Sequence, residues 1–203
     1  MRVCFISNGY PFESEPEYTF VKNLIDEISN QGIECIVIAP QSISKKLLRG
    51  KKTRPRLWTY KTNYGKEVKV YQPYYLSLSN LKIKRVCLSN LFFMRAVKKI
   101  YSTLKKPDII YGHFWECGVV GACISEENIP VVVASGESKI TLKDNYPNFL
   151  IRKALEKIKG VIFVSSKNKN ESIELGLPLR PPPRAKPPPR RNTDTHDPPG
   201  GSS

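Results

Sequence analysis

The sequence predicts an α/β fold in which a parallel sheet is covered by helices on both faces. Short apolar runs of the kind typical of strands buried on both faces recur along most of the chain. Segments whose apolar residues follow helical spacing separate these runs, and this regular alternation predicts a parallel arrangement of the strands. The length of 203 residues suits one domain with a short appendage.

The chain opens with a βαβ unit. Residues 3–6 form a continuous apolar run, and residues 35–39 form a second one. Between them, apolar residues recur at helical spacing from Phe20 to Ile28. The segment Ser14-Glu15-Pro16-Glu17 has the form of a capping box, and Gly32 supplies the end of the helix. We expect a right-handed crossover between the two strands.

The pattern loosens after the second strand. Residues 41–66 are polar and basic without clear periodicity, and we expect them to form a long exposed excursion. Residues 68–72 fit a third strand, and residues 86–104 fit an amphipathic helix with basic residues towards its end. Regular alternation then resumes, with strands at 108–111, 130–134 and 161–164 and helices at 119–127, 148–158 and 167–175. This order of strands and helices is Rossmann-like.

The last part of the chain differs from the rest. The tail from Pro178 to Ser203 is rich in proline and arginine and nearly without apolar residues. Proline blocks backbone pairing, so we predict a tail that is disordered or in polyproline II conformation, outside a domain of residues 1–177. The domain is rich in amino acids with A/T-rich codons, such as Lys, Ile and Asn, whereas the tail is rich in amino acids with G/C-rich codons, such as Pro and Arg. This change indicates a frameshift or foreign sequence. A natural Pro-rich ligand for an SH3-like partner is the competing interpretation.

The cysteines and the N-terminus indicate a reducing compartment. No cysteine belongs to a Cys-x-x-Cys pair or lies at ligand spacing from a histidine, so we predict no metal site. The apolar run at the N-terminus is too short for a signal peptide, and no stretch approaches the ~20 apolar residues of a membrane span. We therefore expect a cytoplasmic protein that can still lie on a membrane. The cysteines are Cys4, Cys35, Cys87, Cys117 and Cys123.

The charge of +15 is concentrated in two segments, from Lys45 to Arg56 and from Val86 to Lys106, with Lys82 close by. Such clusters can bind phosphate-rich surfaces, either anionic lipid or nucleic acid, or can simply form a well-solvated basic face. Neither an aromatic stacking platform nor a nucleic-acid-binding motif is evident, which argues against nucleic acid.

In a sheet of this type, ligands bind outside the carboxyl ends of the strands. The candidate loops are therefore residues 7–19, 112–118, 135–141 and 165–166. The first loop lacks Gly-x-Gly-x-x-Gly, which disfavours an enzyme that uses NAD or FAD as a cofactor. Gly9 can admit a ligand close to the backbone, or can serve only as a turn after the strand.

Two of these loops carry polar residues suited to a ligand. His113 follows a buried strand, with Glu116 three residues on, so it can bond a hydroxyl or shuttle a proton. The other interpretation is a loop histidine that caps the next helix. In the third loop, Gly136 permits a tight turn, and Glu137 and Ser138 can bond a polyhydroxylated ligand.

Taken together, five segments in register resemble the N-terminal domain of the family 4-like glycosyltransferases, which have two facing Rossmann domains in the GT-B architecture. The resemblance covers nearly all of residues 1–177. The matching segments are Tyr10-Pro11 with Thr19-Phe20-Val21, residues 32–40, Pro107-Asp108-Ile109-Ile110-Tyr111-Gly112-His113-Phe114, residues 129–137, and Val161-Ile162-Phe163-Val164-Ser165-Ser166.

This resemblance implies a retaining transferase that uses a nucleotide-sugar donor without a metal or other cofactor, and whose N-terminal domain binds the acceptor. His113 matches the family's histidine near the transferred sugar, Gly9 and Tyr10 the loop facing the donor phosphates, and residues 136–138 the loop that often reads His-Gly-Ser-Asp. The chain differs in having Glu17-Tyr18 where the family has small residues, and Ser135 where it has histidine.

In that family a second Rossmann domain, which holds most of the donor, follows the position of Leu177. The resemblance thus implies a truncated and inactive enzyme of polysaccharide or glycolipid synthesis. A saccharide or lipid-linked acceptor would bind this domain, and its basic segments would face an anionic membrane. The alternative is a non-catalytic basic module that binds nucleic acid or membrane.

Overall fold

A seven-stranded sheet forms the centre of the computed structural model, in the order β11-β10-β9-β1-β2-β5-β4. All neighbours in it pair in parallel except β4, which runs antiparallel to β5 at the edge. Two short pairs, β3–β6 and β7–β8, lie outside it. The strands are β1 (Arg2–Ile6), β2 (Glu34–Ile38), β3 (Gln41–Ser42), β4 (Leu57–Lys61), β5 (Glu67–Tyr71), β6 (Tyr74–Tyr75), β7 (Lys82–Ile83), β8 (Val86–Cys87), β9 (Ile109–His113), β10 (Val131–Ser135) and β11 (Ile158–Phe163).

Helices lie between β1 and β2, β5 and β9, β9 and β10, and β10 and β11, which confirms the predicted Rossmann-like α/β fold. The structure describes residues 1–12, 15–44, 54–78, 81–83 and 86–177. Most of the basic segment from Lys45 to Arg56, and the tail from Pro178 to Ser203, therefore lie outside the described residues. The helices are α1 (Thr19–Asn30), α2 (Leu88–Tyr101), α3 (Trp115–Ile124), α4 (Leu142–Asn145), α5 (Asn148–Lys157) and α6 (Ser166–Glu174).

The sheet buries side chains on both of its faces. In β1, Cys4 and Ile6 belong to the core that includes α3, whereas Val3 and Phe5 belong to the core that includes α1. Successive residues of a strand point to opposite faces, so a strand covered on both sides needs an unbroken apolar run. This is the physical basis of the continuous apolar runs in the sequence.

The predicted excursion at residues 41–66 is wrong in part, because it contains β3 and the edge strand β4. Residues in β4 alternate between exposed and half-buried, and the inward side chains of Trp58 and Tyr60 pack on the core that includes α1. The outward positions are Leu57, Thr59 and Lys61, so only two of the three are polar. The polar composition of residues 41–66 therefore hid the alternation of exposed and half-buried residues in β4.

Two predicted helix starts are also wrong. The N-cap of α1 is Tyr18, at φ 65°, and its side chain makes no capping hydrogen bond, so the Ser14–Glu17 capping box does not form the start of the helix. Helix α3 begins at Trp115, four residues before the predicted start at Val119. The predicted ends at Gly32 and Gly176 are confirmed, since both glycines have positive φ.

Candidate functional site

The candidate site lies where the order of strands reverses. From β1 the chain proceeds through β2 to β5 on one side of the sheet, whereas β9, β10 and β11 continue on the other side. β1 and β9 are adjacent, with Ile6 paired to Gly112, so the loops that leave their carboxyl ends lie side by side. Open α/β sheets bind ligands in the crevice at such a reversal.

A cleft of about 290 Å³ lies beside these loops. Of the predicted site residues, only Glu116 contributes to its lining, together with residues from α2, β6 and the segments before α1 and after α4. Sequence analysis missed the other lining residues, because their approach depends on how α2 and the β6 segment pack on the sheet. The lining residues are Asn8, Glu17, Tyr18, Tyr75, Asn90, Phe93, Glu116 and Tyr146.

Glu116 is held in place by the segment that includes α4. Its Oε1 accepts hydrogen bonds from Asn145 Nδ2 at 2.7 Å and from Thr141 Oγ1 at 3.2 Å. It lies in the first turn of α3, where a carboxylate interacts favourably with the helix dipole. Burial, reinforced by the charge of Glu116, raises the pKa of Tyr75 to about 12, so this hydroxyl remains protonated and can donate.

The predicted ligand loop after β10 is tied to α3 instead of lining the cleft. Glu137 Oε1 accepts from Trp115 N at 2.9 Å, and Oε2 accepts from Gly136 N at 2.8 Å. This carboxylate therefore caps α3 from another loop. Ser138 is exposed, and a Cβ on Gly136 would lie 2.9 Å from a methyl group of Val164.

The loop after β1 shows the same close packing. A Cβ on Gly9 would lie 2.6 Å from the ring of Tyr18, so only glycine fits beneath that ring. Tyr10 is fully buried, and its hydroxyl lies 2.7 Å from the Tyr60 hydroxyl. Of the two residues that sequence analysis assigned to this loop, Gly9 adjoins the cleft residue Asn8, and Tyr10 lies in the core.

His113, the predicted catalytic residue, is the last residue of β9 and is only 5% exposed. Its ring lies among aromatic rings, with centroid distances of 4.2 Å to Phe114, 5.0 Å to Phe20 and 6.3 Å to Tyr18. Neither ring nitrogen has a hydrogen-bond partner in the described part of the chain. Burial lowers the pKa of His113 from 6.5 to about 4, so the imidazole is neutral at pH 7. Tyr18 also lines the cleft, so its ring lies between the cleft and the ring of His113 on which it packs.

The described residues offer neither a metal site nor a membrane-spanning helix. Within residues 1–12, 15–44, 54–78, 81–83 and 86–177, no group of three or more His, Cys, Asp or Glu side chains could hold a metal ion. No helix in these ranges is both long enough and apolar enough to cross a membrane.

Known protein structures resemble this fold at low sequence identity. No protein-family model matches the chain, and no curated protein matches it. A structure described as trehalose-6-phosphate from E. coli bound with UDP-2-fluoro glucose superposes with a TM-score of 0.54 at 9% identity, covering 86% of this chain and 42% of that one. A structure of trehalose-6-phosphate synthase gives 0.53 at 10% identity, with coverages of 86% and 42%.

The N-terminal domain of Candida albicans trehalose-6-phosphate phosphatase gives a TM-score of 0.51 at 14% identity, covering 85% of this chain and 42% of that one. The chain thus spans about 42% of the length of each of these structures. These likenesses show a GT-B-like fold.

Proposed function

We propose that this domain is the acceptor-side half of a retaining, nucleotide-sugar-dependent glycosyltransferase in the cytoplasm, serving cell-surface polysaccharide or glycolipid synthesis. The supporting observation is the cleft at the reversal between β1 and β9, whose lining includes two carboxylate and two amide side chains. The fold likeness to a structure bound with UDP-2-fluoro glucose adds support, because it suggests a nucleotide sugar as the donor.

In this proposal His113 donates or accepts a hydrogen bond with a hydroxyl of the transferred sugar. A neutral imidazole has one donor nitrogen and one acceptor nitrogen, which suits a hydroxyl group. Both nitrogens of His113 lack partners in the described structure. Because the rings of Tyr18 and Phe20 pack against it, these rings move aside when the sugar binds. The loops that contain Gly9 and Gly136 would face the donor.

The donor diphosphate requires positive charge, and none of the described residues that line the cleft is basic. We therefore propose that a second domain holds the diphosphate in the complete enzyme, and that the present chain alone transfers no sugar. Its own part is to bind and orient the acceptor hydroxyl.

A sugar-transfer assay tests the function. With residues 1–177 joined to a donor domain, we expect transfer from a nucleotide sugar with retention of configuration, and no turnover from the present chain alone. Loss of a hydrogen bond that strengthens in the transition state costs ~1.5–3 kcal/mol, so His113→Ala should lower kcat roughly ten- to hundredfold with little change in KM. Transfer by the single domain, or unchanged kcat in a folded His113→Ala enzyme, would contradict the respective proposals.

Helix α2 supports attachment to an anionic membrane. Phe93 and Asn90 on this helix line the cleft, while Arg95, Lys98 and Lys99 on it are exposed. A membrane bound by these cations would therefore contact a helix that also lines the cleft. Each lysine or arginine near an anionic surface contributes about 1 kcal/mol.

We predict that the chain co-sediments with vesicles of equal parts phosphatidylcholine and phosphatidylglycerol, less so as salt rises. Replacing Arg95, Lys98 and Lys99 by glutamine should weaken binding on the order of a hundredfold. The matched control replaces three exposed lysines of the β4–β5 edge, Lys61, Lys66 and Lys69. Equal losses in both triple variants would contradict the proposal. Tighter binding to single-stranded DNA than to vesicles at the same salt would favour the nucleic-acid module.

A further inference from the structure

Helix α3 begins after a residue with unusual backbone geometry. Phe114, the N-cap, has φ 73° and ψ 159°, a combination that is essentially restricted to glycine. Both ends of this residue are bonded: Phe114 N donates to Ala134 O at 2.8 Å, and Phe114 O accepts from Gly118 N at 3.0 Å. Strained residues of this kind persist only where their surroundings hold them, and they cluster at functional sites. The turn at Phe114 must therefore be held by its neighbours.

A carboxylate from the loop after β10 bonds the first residue beyond this turn. The phenyl ring of Phe114 cannot accept a hydrogen bond from the first N–H groups of α3, so the N-cap residue does not cap the helix. Glu137 Oε1 accepts from Trp115 N at 2.9 Å instead. Because Trp115 is fully buried, loss of this partner would leave a buried N–H unpaired, which is costly.

Glu137 is itself tied to the ends of two strands. Its Oε2 accepts from Gly136 N at 2.8 Å and from Ser135 Oγ at 3.2 Å, at the end of β10. Its backbone oxygen accepts from Asn168 Nδ2 at 2.7 Å, and Asn168 lies in the first turn of α6, after β11, with only 4% exposure. Glu137 therefore fixes the start of α3 relative to the carboxyl ends of β10 and β11.

The strained turn separates two residues of the candidate site. His113 precedes Phe114, and their ring centroids lie 4.2 Å apart. Glu116 follows two residues after Phe114 and lines the cleft. A change of φ or ψ at Phe114 would rotate the chain on one side of it relative to the other side. The conformation of Phe114 thus sets the relative positions of His113 and Glu116.

We propose that Glu137 is the positioning residue of the candidate site: it holds the strained turn at Phe114, and thereby places Glu116 in the cleft and His113 at the end of β9. Glu137 is not one of the described residues that line the cleft, and it acts through the backbone of α3. The proposal rests on the proposed function, because Glu116 and His113 are site residues of that function.

NMR spectra of the full chain test the positioning. In Glu137→Ala, we expect shifts of the side-chain amide signals of Asn145, which donates to Glu116, and of the ring signals of His113, because both site residues move. Glu137→Gln keeps an oxygen that can accept from Trp115 N, so the same signals should shift less. This variant carries the comparison where Glu137→Ala does not fold.

Asp108→Ala is the matched control. It removes another carboxylate that accepts from a backbone N–H, that of Arg2 at 2.6 Å, immediately before β9 and thus at the other end of the same strand. Both sets of signals should stay in place in this variant. Phe114→Gly tests the strain, since glycine adopts this conformation freely. In the Phe114→Gly background, Glu137→Ala should therefore leave the Asn145 signals unchanged.

The two-domain enzyme of the transfer assay supplies the functional measurement. There, Glu137→Ala should raise the KM for the acceptor and lower kcat, each on the order of tenfold, because a misplacement of about 1 Å can cost a hundredfold in rate. Loss of folded protein alone lowers the activity and leaves KM unchanged.

Unmoved Asn145 and His113 signals in a folded Glu137→Ala chain overturn the proposal, as do equal shifts in Asp108→Ala or in the Phe114→Gly background. An unchanged KM and kcat in an active Glu137→Ala enzyme also overturns it. A parent enzyme that transfers no sugar overturns the proposed function instead, and the NMR comparison then still decides whether Glu137 positions the two residues.

Discussion

Replacing Gly112 by alanine is expected to cost more than about 3 kcal/mol in the free energy of unfolding. A Cβ at this position would lie 2.3 Å from the backbone nitrogen of Gly118 and 2.4 Å from its Cα. Overpacking normally costs ~1–3 kcal/mol, but here the obstacle is helix backbone, which cannot rotate away as a side chain can. Helix α3 must move off β9, and in a domain of this size the melting temperature should fall by roughly 6–12 °C.

Gly32→Ala is the matched control, because it separates steric cost from conformational cost. Gly32 has φ 81° and nothing within 4 Å of a Cβ, so alanine there bears only the cost of left-handed backbone, about 1–2 kcal/mol. Thermal and urea unfolding give the loss in the free energy of unfolding for each of the two variants. A Gly112→Ala protein as stable as Gly32→Ala would show that β9 and α3 are not in direct backbone contact, and would undermine the placement of Glu116.

Four of the strands that the sequence predicts, β1, β2, β9 and β10, are buried on both faces, whereas the predicted strand β5 alternates between exposed and buried residues. The apolar runs of these four report a local requirement, because any residue of β1 or β10 that faces either core must be apolar. The carboxyl ends of these strands, and thus the edge that carries the candidate loops, follow from the same runs. Edge strand β4 escaped prediction because three of its five residues are exposed and none is fully buried.

The cleft itself was beyond sequence reasoning, because its residues meet only through tertiary packing. Asn90 is separated by 26 residues from Glu116, and nothing in the local pattern around either indicates the other. Glu137 illustrates the same limit. The composition of its loop suits a ligand, but its carboxylate caps α3. The position of His113 at a strand end was predicted, whereas its enclosure by four aromatic neighbours was not.

His113→Phe is expected to remove an acid-dependent loss of stability. The pKa of His113 is lowered from 6.5 to about 4 by burial, so between these pH values the unfolded chain binds a proton that the folded chain does not. The free energy of unfolding therefore falls as pH falls from 6.5 to 4, by up to roughly 3 kcal/mol. Phenylalanine fits the aromatic surroundings and leaves no unpaired ring nitrogens, so the variant should also be at least as stable at pH 7.

Urea unfolding at pH 7, 5.5 and 4 gives the free energy of unfolding of the variant and of the parent. The effect of His113 is the difference between the two values, because the carboxylates titrate in both proteins and cancel. The difference should widen steadily from pH 7 to pH 4.

His113→Ala is the second variant: it leaves a cavity and lowers stability at pH 7, yet it should show the same loss of pH dependence. His196, the other histidine of the chain, lies in the tail, and His196→Phe should retain the parent's slope. A constant difference between His113→Phe and the parent across this range would mean that His113 is solvated when the protein is folded. Its imidazole would then already be hydrogen-bonded to water, and the unpaired nitrogens could not be what a sugar hydroxyl satisfies.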